Sequence, residues 1–460
     1  MTERLVVIGG DAAGMSAASQ ARRRRDSGDL EIVAFEQGRF TSYSACGIPY
    51  YVGGLVEDSR ALIARDPETF RAKQDIGVRL QQEVTEIDLG SRVVRAYDHD
   101  SRKESWQGFD QLMVATGAIP RRPPLTGADA RGIHGVQTLG DGIALQRVLE
   151  DERPRTAVVV GGGYIGLEMA EALIRRGLDV TLVEAAPQPM GTFDPDMGAL
   201  VTDALRRTGI TVHTGEAVEG FDTDDGHVRE VVTEQRRLPA DIVVLGLGVR
   251  PNVAVAEAAG IDVGSARGIV TDRRMRTSIE GVWAAGDCVE NFHLVSHEPV
   301  AIPLGTHANK QGRTAGINIG GGYATFPGVV GTAASKICDV ELARTGLNEA
   351  EAARAGFDYL TTVVESTTRA GYYPGAKPMQ TKVIAEKRSG RLLGAQIVGE
   401  EGAGKRIDVL AVALWNAMPV GEMSGLDLSY APPFSPVWDP VLIAVRKAAE
   451  KVEDTLSDCR

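Results

Sequence analysis

The chain has 460 residues, 43% hydrophobic and 24% charged, the composition of a soluble globular protein with room for about three domains. Its formal net charge of −12 argues against nucleic acid as a partner, because nonspecific binding to phosphates needs a basic surface. No apolar run reaches the ~18 residues of a membrane span, no signal-peptide pattern opens the chain, and the four cysteines have neither CxxC nor metal-ligand spacing, so the expectation is a cytoplasmic, metal-free protein with reduced thiols.

In chain order, Leu5-Val6-Val7-Ile8-Gly9-Gly10-Asp11-Ala12-Ala13-Gly14 reads as an apolar strand, a glycine-rich turn and an alanine-rich helix start. A second apolar strand, Ile32-Val33-Ala34-Phe35, ends in Glu36. In such a unit glycines allow a tight turn and let a pyrophosphate approach the helix N-terminus, while the acid accepts hydrogen bonds from a ribose. Gly9, Gly10, Ala13, Gly14 and Glu36 are therefore candidate dinucleotide contacts. Asp11 holds the place of the second glycine of the usual pattern. The helix ends in Arg22-Arg23-Arg24-Arg25, charges that suit the negative end of its dipole.

Cys46 follows, in Thr41-Ser42-Tyr43-Ser44-Ala45-Cys46-Gly47-Ile48-Pro49-Tyr50-Tyr51. A lone cysteine is ordinarily a small buried hydrophobe. Here Gly47-Ile48-Pro49 predicts a helix starting just after it, whose N-terminal dipole would lower the thiol pKa.

Leu112-Met113-Val114-Ala115 is another apolar strand, ending in Thr116-Gly117. The first unit is then repeated by Ala157-Val158-Val159-Val160-Gly161-Gly162-Gly163-Tyr164-Ile165-Gly166, with Val180-Thr181-Leu182-Val183 ending in Glu184. This copy has the full GxGxxG (Gly161, Gly163, Gly166), with Tyr164 and Ile165 inside the loop. Ala185, Ala186 and Pro187 follow Glu184, so no cation is at hand for the 2′-phosphate of a phosphorylated dinucleotide. A segment around Gly248 closes the second unit, and Gly281–Cys288 ends a further strand in Gly286-Asp287. The order predicts a first dinucleotide domain (1–150 and 271–325) interrupted by a second (151–270). An α+β domain over 326–445 follows, then a charged tail, 446–460.

These motifs, in this order and over essentially the whole chain, resemble the FAD-dependent pyridine nucleotide–disulfide oxidoreductases. The resemblance implies an α/β protein with two Rossmann-like domains, the NAD domain inserted in the FAD domain, and a C-terminal α+β dimerisation domain. The first glycine-rich unit would bind FAD and the second NAD(P)H. Thr116-Gly117 and Gly286-Asp287 would complete the FAD site, with Asp287 on the ribitol. Within the family, Cys46-Gly47-Ile48-Pro49-Tyr50-Tyr51, Ala370-Gly371-Tyr372-Tyr373-Pro374-Gly375 and Leu428-Ser429-Tyr430-Ala431-Pro432-Pro433-Phe434-Ser435 look most like coenzyme A disulfide reductases and their single-cysteine relatives. Glutathione-reductase-like members place a second cysteine where this chain has Tyr51, and use a C-terminal histidine where it offers Tyr430. Single-cysteine NADH oxidases and peroxidases carry a histidine at the position of Ala12. Coenzyme A disulfide reductases usually carry Asn at the position of Ala45.

What the resemblance implies is an FAD-dependent homodimer, preferring NADH, that reduces CoA disulfide or a related low-molecular-weight disulfide or persulfide. Cys46 would attack the disulfide as a thiolate. Tyr430, Tyr372 and Tyr373 are the candidates to protonate the departing thiol. Arg22, Ser42 and Lys73 would hold the substrate, the cations clamping CoA phosphates, with Lys310 and Arg313 as weaker candidates. Cys288, Cys338 and Cys459 read as structural or incidental. Rival readings are an NADH oxidase reducing dioxygen, a flavin-based redox sensor or partner-binding protein, and a ferredoxin-type reductase that needs no cysteine.

Overall fold

A computed structural model of the chain describes residues 2–458; Cys459 lies outside the described residues. Five parallel strands form the first sheet, in the order Val282–Ala284, Gln111–Val114, Glu3–Ile8, Leu30–Phe35, Ile76–Arg79. Leu5, Val6 and Val7 are fully buried, as expected of a parallel strand covered on both faces. The helices Ala12–Arg22 and Gly305–Ile319 lie against each other because Gly312 faces Ala13 and Gly316 faces Ala17, where any Cβ would strike a backbone carbonyl. The ribbon Gln82–Asp88, Val93–Asp98, Lys103–Gly108 adds Val84, Ile87 and Val94 to the same core.

The second sheet is also parallel and five-stranded: Thr211–Thr214, Asp179–Glu184, Thr156–Val160, Ile242–Leu245, Ile133–Gly135. It starts earlier than the sequence suggested. Ile133–Gly135 pairs with Ile242–Leu245, and Leu139, Leu145 and Leu149 of the helix Leu139–Asp151 pack into the second core. Residues 133–150 thus belong with the second unit. Val253, Ala256 and Ile261 have already returned to the first core, so the return also precedes residue 270. The two crossings pair with each other, Ala118–Pro120 antiparallel to Val249–Pro251. Val282–Ala284 then joins the first sheet beside Gln111–Val114, which makes the second dinucleotide unit an insertion in the first.

The C-terminal unit is a five-stranded antiparallel sheet, ordered Ala333–Ile337, Val340–Gly346, Leu392–Gly399, Pro378–Glu386, Tyr359–Thr367. The last helix, Pro440–Asp458, crosses residue 445 unbroken. Val441, Ala444, Val445, Ala448 and Val452 are all buried, an apolar stripe at helical spacing that continues beneath the charged residues. The expected tail is therefore part of this unit. Among the described residues, no helix is long and apolar enough to cross a membrane.

Candidate active site

Both glycine-rich turns are built the same way. Gly9 and Gly161 have φ of 106° and 103°, a region natural to glycine. A Cβ on either would collide with a carbonyl, of Ala115 or of Gly246. Gly14 and Gly166 each close over the carbonyl of the first glycine of their turn. Gly163 faces open space, the room a pyrophosphate needs. In each unit the acid grips the turn. Glu36 accepts from the amides of Gly10 at 2.8 Å and Gly38 at 2.7 Å, and Glu184 from those of Gly162 at 2.6 Å and Ala186 at 2.7 Å. A carboxylate has about four lone-pair sites, so each acid keeps acceptor capacity for a ribose. These cradles fit two dinucleotides.

The first cradle is strongly acidic. Burial, then the charge of Glu36, pushes the Asp11 carboxyl up to about 7, against the amide of Tyr43, which lowers it. Burial alone pushes Asp287 up to about 6, and its side chain has no hydrogen-bond partner among the described residues, leaving it free for a hydroxyl donor. Gly286, at φ 92°, brings this turn against Ala13, whose Cβ would lie 2.9 Å from a Cβ at residue 286. Thr116 donates its hydroxyl to the Asn252 carbonyl at 2.6 Å, and Gly117 and Gly248, at φ 67° and 77°, turn the chain at the two crossings. Tyr164 and Ile165, both half-buried, begin the helix Tyr164–Arg175.

Cys46 is exposed, in a single 3₁₀ turn, Ala45–Gly47, that leads into the helix Ile48–Val52. Its segment is bound to the first turn: the Ser42 amide and the Thr41 hydroxyl donate to the Gly10 carbonyl, and the Tyr43 amide donates to Asp11 at 3.2 Å. Ser42 itself stands at φ 51°. On the other side, the helix Ile48–Val52 packs on Tyr164–Arg175, where a Cβ at Gly53 would lie 3.1 Å from Ala172 Cα. The thiol thus stands between the two dinucleotide units.

Its electrostatics depart from expectation. Partial desolvation by surrounding protein, then the carboxylates of Glu168 and Asp287, push the Cys46 thiol above its ordinary range. A helix of five residues has too little dipole to offset that. Glu168, which the sequence reading overlooked, is held by the Ser335 hydroxyl at 2.9 Å, and burial raises its own pKa. The available signal was an acid four residues beyond Tyr164, on the same face of the helix.

Arg22 is committed in part to structure. It donates to the carbonyls of Gln74 at 2.8 Å, Arg25 at 3.1 Å and Asp75 at 3.2 Å, three of the five N–H groups an arginine has. Lys73 lies exposed on the adjoining helix Pro67–Gln74. Lys310 and Arg313 are exposed on Gly305–Ile319. Tyr372, Tyr373 and Tyr430 stand on the surface of the C-terminal unit, 78%, 36% and 45% exposed. The neighbouring Tyr372 hydroxyl raises the pKa of Tyr430, and the Ala370 amide donates to the Pro432 carbonyl, joining their loops. Among the described residues, no hydrogen bond links any of the three to Cys46 of the same chain. Phe434, Val437 and Trp438 are exposed nearby in sequence, at 74%, 69% and 49%. Cys288 is buried, donating to the Ala285 carbonyl at 3.3 Å, and Cys338 sits in a hairpin turn at φ 50°.

Comparison with known proteins bears on this arrangement. Residues 3–312 match the model of the pyridine nucleotide-disulphide oxidoreductases, and residues 332–440 match the dimerisation domain of that family. A Pyrococcus abyssi protein described as NAD(P)H sulfur oxidoreductase (CoA-dependent) is 38% identical, over 96% of this chain and 97% of its own. An NADH oxidase of Methanocaldococcus jannaschii is 35% identical, over 98% of this chain and 100% of its own. The solved structure of an NAD-dependent persulfide reductase from A. fulgidus superposes with a TM-score of 0.94 at 41% identity, covering 98% of this chain and 84% of that one.

Proposed function

This chain belongs to the pyridine nucleotide-disulphide oxidoreductase family, whose cofactors are FAD and NAD(P)H, and we propose that it reduces CoA disulfide, or a related low-molecular-weight disulfide or persulfide, as a cytoplasmic, NADH-preferring homodimer. The observation that carries the reading is the position of Cys46, exposed between two dinucleotide cradles on a segment whose Thr41, Ser42 and Tyr43 are hydrogen-bonded to the first. Bound in those cradles, FAD and the nicotinamide dinucleotide would supply the electron pair needed to reopen a mixed disulfide at Cys46.

The chain's own residues do the rest. The Cys46 thiolate attacks one sulfur of the disulfide and expels the other as a thiolate, leaving Cys46 joined to half the substrate. The expelled thiolate takes a proton. Tyr430, beside Tyr372, is the donor we assign, and its exposure on the dimerisation unit suits delivery to the cysteine of a second copy. Tyr373 is the less exposed member of the adjacent pair. Ser42 lies beside the cysteine, and the two free N–H groups of Arg22, with Lys73, offer positive charge to substrate phosphates. Gly9, Gly10, Ala13, Gly14, Glu36, Thr116, Gly117, Gly286 and Asp287 would hold FAD. Gly161, Gly163, Tyr164, Ile165, Gly166, Glu184 and Gly248 would hold the nicotinamide dinucleotide. The carboxylate of Glu184 supports NADH, since a 2′-phosphate would meet a negative charge.

Mass spectrometry of the protein after anaerobic incubation with CoA disulfide tests this reading. A CoA adduct on the Cys46 peptide supports it. A second reading, an NADH oxidase, is favoured by the likeness to the M. jannaschii protein. It predicts no adduct, oxygen uptake with NADH alone, and a sulfenic acid at Cys46 trapped by dimedone.

A further inference from the structure

The side chain of Lys382 is 2% exposed and meets three carboxylates. Its ammonium donates to both oxygens of Asp196, at 2.7 and 2.9 Å, lies 3.2 Å from Asp194, and contacts Glu349. Lys382 belongs to the strand Pro378–Glu386 of the C-terminal unit, and Glu349 begins the helix Glu349–Arg354 there. Asp194 and Asp196 belong to the second dinucleotide unit, at the start of Pro195–Arg207. The three acids lie close enough together to hold a metal ion, but the ammonium is already the cation among them.

Asp194, buried to 3%, is held at every polar atom. Its Oδ1 accepts from the Glu349 amide at 2.8 Å and its Oδ2 from the Gln396 side chain at 2.7 Å, while its amide donates to Gln396 Oε1 at 2.9 Å. Two residues upstream, the Thr192 carbonyl accepts from Arg344 at 2.9 Å and Asn348 at 3.3 Å. Upstream again, the Met190 amide donates to the Gly162 carbonyl at 2.7 Å, and a Cβ at Gly162 would lie 3.0 Å from that of Pro189. Residues 189–196 therefore form a strap. One end lies on the second glycine-rich turn and the other is bolted to the C-terminal unit.

Apolar packing would join two units with less desolvation cost than a buried ammonium and its carboxylates. What such a network adds is a single allowed geometry, because any shift strands a buried charge. We propose that Lys382 is a positioning residue for the nicotinamide dinucleotide. Through Asp194 and the strap it fixes the second glycine-rich turn relative to the C-terminal unit. This rests on the reading of that turn as the nicotinamide site.

The test uses the FAD-loaded protein and compares Lys382→Met, Gln396→Met and Glu184→Ala with the parent. NADH Kd, KM and kcat are measured beside FAD content and the rate of Cys46 alkylation. The expected result is an NADH Kd and KM raised about tenfold in both strap variants, with kcat at saturating NADH, FAD content and Cys46 alkylation unchanged. A merely structural role would move FAD content and kcat instead, and that outcome overturns the proposal. Should Lys382→Met fail to fold, Gln396→Met, which leaves every charge in place, decides by the same criterion. If Glu184→Ala weakens NADH binding and the strap variants do not, the proposal fails while the nicotinamide site stands. If Glu184→Ala leaves NADH binding unchanged, that site is itself wrong and the proposal falls with it.

Discussion

The Asp11 carboxylate accepts the backbone amide of Tyr43 at 3.2 Å, so one side chain joins the first glycine-rich turn to the segment that carries Cys46. That carboxyl is pushed up to about 7, chiefly by burial. A neutral acid beside a pyrophosphate can donate a hydrogen bond to it, whereas an ionised one repels it. FAD affinity should therefore fall as pH rises through about 7, and Asp11→Asn should remove that dependence; FAD release followed by fluorescence across this range checks it. The sign for folding agrees. Between 3.8 and about 7 the folded chain holds a proton that the unfolded chain has lost, so this group's contribution to stability declines as pH rises across that window and is constant above it.

Cys46 should be slow to alkylate at neutral pH. Its thiol is raised by partial burial and by the carboxylates of Glu168 and Asp287, and only the thiolate reacts. The rate of iodoacetamide labelling should have its midpoint above that of a free cysteine. Glu168→Gln should move the midpoint down without altering the exposed position of the thiol.

The dinucleotide turns were legible in the sequence because geometry leaves them few alternatives: Gly9 and Gly161 have no room for a Cβ, and each is matched by an acid one strand later. The insertion of one unit in the other followed from the order of the motifs. Its edges did not, because Ile133–Gly135 is a three-residue edge strand, too short to show a period. The raised thiol was not legible either, since the charge of Glu168 acts on Cys46 from a helix of the other unit. Arg22 looked like a free cation, and only the fold shows that carbonyls take three of its donors. Lys382 gave no signal, because its partners lie in separate segments and strand residues of that kind are usually solvated.

Nicotinamide choice should follow Glu184. Replacing it by Ser, together with Ala185→Arg, removes the repulsion and adds a cation for a 2′-phosphate. The ratio of kcat/KM for NADPH over NADH should rise by at least about tenfold. Because Glu184 also holds the Gly162 and Ala186 amides, part of that change should come from weaker NADH binding, seen as a higher KM for NADH.

The tyrosine pair should act as one unit. If Tyr430 protonates the departing thiolate, Tyr430→Phe should lower kcat by roughly 10²-fold, the lower end of what a general acid contributes. Tyr372→Phe removes the neighbouring hydroxyl that raises the Tyr430 pKa and should cost less. The double variant should be no slower than Tyr430→Phe alone, since the effects of neighbouring, coupled residues are not additive. Steady-state rates with CoA disulfide at saturating NADH measure all three.

The most direct test of Cys46 as the redox centre is anaerobic NADH consumption with CoA disulfide, run on the parent protein and on Cys46→Ser. Rapid turnover that disappears in the variant, with its FAD content unchanged, is the predicted result. No turnover until air is admitted, or full activity in Cys46→Ser, would contradict it.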